Sequence, residues 1–247
     1  MKEQVTAATK QAQRAEKAAK DAKASQLFAY AVNEDDSSKA ETLLTQVIQL
    51  CPQNAEAYYY RAHQKKDYEE ALRDYDKAIE INPLYIDALD DRGNLKICLN
   101  DNIGAIDDFD RVIKLAPLNP SAYVCRGIAK ENTNDKKGAM MDYNRSIELD
   151  PKRFYTYIKR GHLKFVLNDI SGALNDLNKS LEITPNYPET LECRAKCYRK
   201  LAEDEQDDNK KTEWIAKAEA DEKIKLEFDA RAKAQKERIE ILNNIQS

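Results

Sequence analysis

Apolar residues recur at intervals of three and four positions over short stretches of the chain, and brief polar breaks separate these stretches. Residues 87–99 and residues 103–115 both show this spacing, which predicts two amphipathic helices. Between them lie Asn100 and Asp101, a pair that favours a turn followed by a helix N-cap. The segment therefore predicts a helix-turn-helix hairpin.

The hairpin pattern repeats every 34 residues, and the small residues reveal the period. A proline that follows each second helix would stop it, and series of glycine and alanine mark places where two helices can approach closely. This periodicity predicts an all-α chain of tandem hairpins. The series are Gly93, Gly127 and Gly161; Gly104, Gly138 and Gly172; Ala71, Ala105, Ala139 and Ala173; Pro83, Pro117, Pro151 and Pro185; and Tyr75, Phe109, Tyr143 and Leu177.

One repeat is shorter than the others. The step from Ala40 to Ala71 is 31 residues, as is the step from Tyr58 to Leu89. Three residues are therefore missing between Tyr58 and Ala71. Because one helical turn takes 3.6 residues, we expect the first helix of this repeat to lack almost one turn.

The repeating residues resemble the tetratricopeptide-repeat family over residues 54–187. The resemblance rests on AYVCRGIAK at 122–130, GAMMDYNRSIELDP at 138–151 and GALNDLNKSLEITP at 172–185, in the Arg-Gly form common among bacterial members. It implies a right-handed superhelical solenoid, with capping helices at both ends. It also implies that the first helix of each repeat lines a concave groove for an extended peptide or a partner helix.

The repeat register divides the chain into segments. The alanine stripe near the start permits either an Ala-rich coiled coil or a solvated capping helix, and the lack of large apolar residues favours the cap. At the other end a Lys/Glu-rich helix would give the solenoid its polar outer face. We predict an Ala-rich helix at 1–23, a degenerate repeat at 24–53, a shortened repeat at 54–85, full repeats at 86–119, 120–153 and 154–187, a degenerate repeat at 188–227 and the end of a capping helix at 228–247.

A second pair of series has opposite charges at the same period. Arginines recur at Arg92, Arg126 and Arg160, and aspartates recur from Asp74 through Asp108, Asp142 and Asp176. These positions flank the small residues where helices meet, so we expect the charges to pair. We predict that Arg126 lies within ion-pair distance of Asp108 or Asp142.

Composition limits the possible functions. The net charge is −4, so the chain offers no basic surplus for releasing counterions from phosphate, and we predict no nucleic-acid partner. No apolar run approaches the roughly 20 residues that a membrane helix needs. Five dispersed cysteines do not form a disulfide framework, and the N-terminus lacks the apolar segment of a signal peptide. We therefore expect a cytoplasmic protein, with its oligomeric state open.

The residues that usually carry chemistry are few. His63 and His162 lie in different repeats. Cys193 and Cys197 have helical i,i+4 spacing, but a structural zinc site needs two more ligands, so core packing is favoured. The glycines belong to the repeat and form no phosphate-binding loop. We predict that the chain is not an enzyme and has no catalytic site, metal or cofactor.

The exposed side of each first helix should form the groove that binds a protein or peptide. Its residues would be acidic at one end, aromatic and apolar in the middle and basic at the other end, which suits a polar partner with one or two bulky anchors. The predicted groove residues are Tyr59, His63, Asp90, Asn94, Val124, Ile128, Tyr155, Ile158, His162, Phe165, Lys196, Arg199 and Lys200.

Other binding modes remain open. Chaperone adaptors of this family clamp a C-terminal carboxylate with Lys, Asn, Asn, Lys and Arg from three successive first helices. At the matching positions the chain has Asp90, Asn94, Cys125, Tyr155 and Lys159; only Asn94 and Lys159 fit, and Asp90 would repel a carboxylate. RNA binding is opposed by the acidic balance, whereas an assembly subunit that uses its ends remains an alternative.

Overall fold

The computed structural model describes the backbone of residues 2–246 and the side chains of residues 9–239. Over this range the chain forms twelve helices and no strand, so the predicted all-α class is confirmed. Counted from the start of the chain, each odd-numbered helix packs against the helix that follows it as a hairpin, as the tandem repeat requires. Within the described residues, every helix is too short or too polar to serve as a membrane span.

Two compact units make up the chain, residues 1–117 and residues 118–247. The first, called unit 1 here, contains helices α1 to α6, and unit 2 contains α7 to α12. In unit 1 these are α1 (Lys2–Val32), α2 (Ser37–Leu50), α3 (Ala55–Gln64), α4 (Tyr68–Ile81), α5 (Ile86–Cys98) and α6 (Asn102–Leu115). In unit 2 they are α7 (Pro120–Asn132), α8 (Lys136–Leu149), α9 (Phe154–Val166), α10 (Ile170–Ile183), α11 (Pro188–Asp204) and α12 (Asp208–Gln246).

The first and last helices are long, with 31 residues in α1 and 39 in α12. The boundary predicted between residues 23 and 24 falls inside α1, which is one continuous helix, and the boundary predicted at 227 falls inside α12. The shortened repeat has a shorter first helix. Helix α3 has ten residues, whereas α5, α7 and α9 each have thirteen, so the expected loss of almost one turn is confirmed.

The tight turn inside each of the three full repeats uses the same Asn-Asp pair. Asn100, the first residue of one such pair, has φ 64°, a left-handed conformation that asparagine tolerates better than most residues. The Asp101 side chain then accepts a hydrogen bond of 3.0 Å from the Gly104 amide and caps α6. The same arrangement recurs at Asp135 and Asp169. The turn and N-cap read from the sequence are therefore confirmed.

Glycine lets the two helices of a hairpin approach closely. A Cβ atom on Gly127 of α7 would lie only 2.6 Å from the Tyr143 ring of α8, and one on Gly93 would lie 2.8 Å from the Phe109 ring. Both rings are completely buried. The aromatic side chain of the second helix thus fills the space that the glycine of the first helix leaves free.

Largely buried ion pairs join the helices of the five hairpins from α3–α4 to α11–α12. Arg126 contacts Asp142 at 2.5 Å, which confirms the prediction for this arginine, and Lys130 contacts the same carboxylate at 2.8 Å. The lysines were not foreseen, nor was the aspartate on α12 that completes the last pair. The other pairs are Arg61–Asp74, Arg92–Asp108, Arg160–Asp176 and Arg194–Asp221, with Lys96 and Lys164 as the equivalent lysines.

Candidate peptide-binding surface

The first helices of unit 2 lie side by side, because α9 contacts both α7 and α11. Of the predicted groove residues here, Ile128, Tyr155 and Phe165 are half-buried and His162 is exposed. Two predictions are wrong. Val124 is 3% exposed and Ile158 is 0% exposed, so both belong to the core. Val124 packs with Ala139, Tyr143 and Leu163.

Burial of Val124 and Ile158 follows from the number of neighbours that each first helix has. Helix α9 packs against its own second helix, α10, and also against α7, α8 and α11. Five of the thirteen residues of α9 are buried by these neighbours. In the 3-4 spaced series Tyr155, Ile158, His162 and Phe165, Ile158 is the member that lies on the buried side.

A cavity of about 200 Å³ opens between α9 and α11. Its lining is mostly apolar, and its floor includes Leu177 from α10. Gly161 contributes no side chain, and Leu177 packs closely against it, since a Cβ atom on Gly161 would lie 3.1 Å from the leucine Cγ. The lining residues are Gly161, His162, Phe165, Val166, Leu177, Cys193, Lys196 and Cys197. An apolar cavity of about 150 Å³ is enough to admit a benzene molecule, so this cavity can accommodate one large apolar side chain.

The two cavity cysteines behave as apolar groups. Burial raises the pKa of the Cys193 thiol, and burial together with Cys193 raises the pKa of Cys197 to about 12. Both therefore stay protonated, and protonated thiols are poor nucleophiles and poor metal ligands. Among the side chains that the structure describes, no group of three or more His, Cys, Asp or Glu could hold a metal ion.

A carboxylate on α7 holds the histidine at the cavity mouth. Glu131 accepts a hydrogen bond of 3.0 Å from the Tyr143 hydroxyl and lies 3.2 Å from His162 Nδ1. Burial acts to raise the pKa of Glu131, but its bonds with His162 and Tyr143 outweigh burial and leave that pKa below its usual range. Glu131 is therefore ionised at neutral pH and fixes the position of His162.

The predicted basic end is largely neutralised by acidic partners. Arg199 donates two hydrogen bonds, of 2.8 and 2.7 Å, to Glu222 of α12, and Lys200 contacts Asp204 at 3.1 Å. Lys196 is the basic residue that reaches the cavity. Glu222 lies outside the regular repeat, so the 34-residue period gave no sign of this pairing.

On unit 1, the first helices present rings and carboxylates. The ring of Tyr59 packs against the rings of His63 and Tyr85, with centroids 4.7 and 4.9 Å apart, and its hydroxyl donates to Asp91 at 2.9 Å. Asp90 accepts a hydrogen bond of 3.3 Å from Asn94. Its other carboxylate oxygen is buried without a hydrogen-bond partner.

The ionised form of Asp90 is also electrostatically unfavourable. Burial, followed by the nearby carboxylates of Asp91 and Asp87, raises the pKa of Asp90 to about 6. The first helices of unit 1 therefore carry a cluster of carboxylates around Asp90.

Comparison with known proteins finds a repeat family that two segments of the chain resemble. A family model described as tetratricopeptide repeat matches residues 55–83 and 120–153. These matches fall on α3–α4 and on α7–α8, one hairpin in each unit. No curated protein matches the sequence.

Solved tetratricopeptide-repeat and related structures share the fold. PilF of Pseudomonas aeruginosa superposes with a TM-score of 0.65 at 15% identity, over 86% of this chain and 97% of its own. A tetratricopeptide repeat protein from Parabacteroides merdae gives 0.60 at 21% identity, over 82% of each chain. YrrB, described as a TPR protein with an unusual peptide-binding site, gives 0.58 at 20% identity, over 76% of this chain and 97% of its own.

The positions that form a carboxylate clamp in some tetratricopeptide repeats are poorly suited to that role here. Burial and then the neighbouring carboxylates raise the pKa of Asp90, so a second carboxylate there would be unfavourable. Lys159 fits by residue type, but its ammonium group already contacts Glu189 at 2.8 Å and lies 4.6 Å from the centre of the Tyr155 ring. These contacts argue against a bound C-terminal carboxylate.

Proposed function

We propose that this protein is a non-enzymatic interaction scaffold that binds a peptide or a partner helix on the first helices of unit 2. The cavity between α9 and α11 is the observation that carries this proposal. It is apolar, it opens to the surface, and a few polar side chains surround its mouth, which is the usual make-up of a binding site. The printed description of YrrB supports the idea that this fold can carry a peptide site.

The energy of binding would concentrate around the cavity. Burying one Leu-sized side chain contributes roughly 1.5–3 kcal/mol. Phe165 forms part of the cavity lining. Tyr155 lies about three helical turns before it on α9 and packs on the core cluster of α7 and α8. Aromatic residues of this kind supply most of the energy at many interfaces.

Other features fit a scaffold with these properties. All five cysteines are free thiols, which supports the inference of a reducing, cytoplasmic location. A partly buried arginine precedes Gly93, Gly127 and Gly161, which supports the inference that these repeats are of the Arg-Gly type. The acidic net charge supports a protein or peptide partner and opposes nucleic acid. We infer that no cofactor takes part.

The proposal can be tested with peptides selected from a randomised display library. The double variant Tyr155→Ala, Phe165→Ala should weaken binding of the selected peptides by at least about 2 kcal/mol, measured by fluorescence polarisation, with helix content unchanged in circular dichroism. A matched control, Tyr30→Ala with Tyr68→Ala, removes two exposed aromatic residues of unit 1 and should bind normally.

Two outcomes would reject a site on this surface. One is a selection on the wild type that enriches no peptide. The other is a set of peptides that bind the wild type and the Tyr155/Phe165 variant equally.

A role as an assembly subunit is the second candidate. Leu226, Phe228 and Ile239 are exposed apolar residues on α12, a helix that packs against α11 in its first part. If the ends of the chain make the contacts, Leu226→Ser with Phe228→Ser should abolish association in sedimentation analysis. The cavity variant would then have no effect on association.

A further inference from the structure

Two polar side chains stand at the cavity mouth, and each has an acidic neighbour. His162 of α9 and Lys196 of α11 belong to the lining residues; Glu131 lies beside His162 and Glu192 lies beside Lys196. Both lining side chains are accessible, with 51% of His162 and 57% of Lys196 exposed. Because Lys196 lines the cavity, an apolar side chain that enters it must carry its neighbouring residues past this ammonium group.

The present partner of Lys196 holds it weakly. Lys196 contacts Glu192 at 2.7 Å, one turn earlier on the same helix. Exposed pairs of this kind contribute little, because solvent screens the charges and two flexible side chains must be ordered. The hydrogen bond to Glu192 raises the pKa of Lys196, so the side chain stays cationic. It can exchange Glu192 for a carboxylate that a partner brings.

Arg199 differs from Lys196 in this respect. Its guanidinium makes two hydrogen bonds to Glu222 on another helix, a bidentate geometry that is harder to replace. The neighbouring Lys200 contacts both Glu203 and Asp204. Selectivity by charge should therefore reside in Lys196, with His162 on the opposite side of the mouth.

We propose that the cavity selects partner segments in which the apolar anchor residue is immediately flanked by aspartate or glutamate. The anchor side chain occupies the space between Phe165 and Leu177, and the flanking carboxylate accepts a hydrogen bond from Lys196 Nζ. This inference rests on the proposed function and adds the chemistry of the partner to it.

The test uses a randomised ten-residue peptide library displayed on phage and selected on the intact protein. Wild type should enrich peptides with Asp or Glu beside an apolar residue. The variant Lys196→Glu should keep the apolar residue but replace the acidic neighbour by Lys or Arg. Lys223→Glu is the matched control, since it makes the same charge change at an exposed site on α12 and should leave the acidic preference intact.

Affinity measurements then separate a direct contact from a general charge effect. In the strongest wild-type peptide, Asp→Asn or Glu→Gln at the flanking position should weaken binding about fivefold at low salt. The same change should weaken binding to Lys196→Gln by less than about twofold, because coupled residues are not additive. High salt should reduce the wild-type difference.

The outcomes distinguish this inference from the proposed function. Peptides that lose binding to the Tyr155/Phe165 variant but show no acidic preference would overturn the inference and leave the scaffold function standing. An equal shift of preference in Lys223→Glu and Lys196→Glu would also overturn it. If no peptide is enriched, or the Tyr155/Phe165 variant binds normally, both fail.

Discussion

Replacing Asp90 by asparagine should stabilise the protein at neutral pH. Asp90 lies beside the carboxylates of Asp87 and Asp91, and burial together with these charges raises its pKa from 3.8 to about 6. One of its oxygens is buried without a hydrogen-bond partner. Asparagine has nearly the same shape and carries no charge, so Asp90→Asn removes the repulsion and the desolvation of the ion.

The magnitude follows from proton linkage. A folded-state pKa above the unfolded value means that the folded protein binds more protons between about pH 4 and pH 6, so stability falls as pH rises through this window. A shift of about 2 units corresponds to roughly 3 kcal/mol. Asp90 is only half-buried, and solvent screening reduces this to roughly 1–2 kcal/mol. Asp90→Asn should recover that amount above pH 6 and none below pH 4.

Urea denaturation followed by circular dichroism measures this effect. Wild type and Asp90→Asn should be compared at about pH 7.5 and about pH 4, where Asp90 is ionised and protonated respectively. Asp107→Asn, at an exposed position on α6, is the control for a general loss of negative charge. A gain that is equal at both pH values, or equal in the control, would refute the electrostatic explanation.

Two further predictions concern the ion pairs and the C-terminal helix. Arg160→Gln leaves its carboxylate partner buried with one cation fewer and should lower the free energy of unfolding, measured in urea, by about 3 kcal/mol. The control Arg231→Gln, at an exposed site, should change that free energy little. Equal effects of the two substitutions would contradict the reasoning. Deleting residues 213–247 removes the carboxylate that pairs with Arg194 and should lower the melting temperature and the solubility. A deletion from residue 230 onward should do neither, and an unchanged melting temperature after the longer deletion would show that α12 is not a cap.

The hairpins could be read from the sequence because the residues that define them recur at fixed spacing. Gly127 and Tyr143 fill one shared space, so neither can change alone and the period stays visible. The Asn-Asp turns also stay visible in the sequence, because the left-handed backbone conformation restricts the first residue and the N-cap hydrogen bond restricts the second. The missing turn of α3 followed from the 31-residue steps alone.

The candidate site was harder to read, because it depends on contacts between helices that are distant in the sequence. Ile158 has the spacing of a groove residue but lies in the core, since α9 has neighbours on several sides. Arg199 was expected to be available and instead binds Glu222, which follows no repeat. The cavity needs Leu177, Cys193 and Gly161 from three helices, and no single helix pattern predicts it.

The buried ion pairs also bear on how such an array can change in length over evolution. In Arg160 and Asp176, as in Arg92 and Asp108, the buried charge and its partner lie within one 34-residue segment. Duplicating or deleting a whole segment therefore adds or removes a carboxylate together with the cations that contact it, and leaves no buried carboxylate alone. The bond from Arg160 to Asn144 of the preceding repeat uses an exposed, uncharged acceptor, whose loss water can compensate. Repeat number can thus change by recombination without a compensating substitution in the interior.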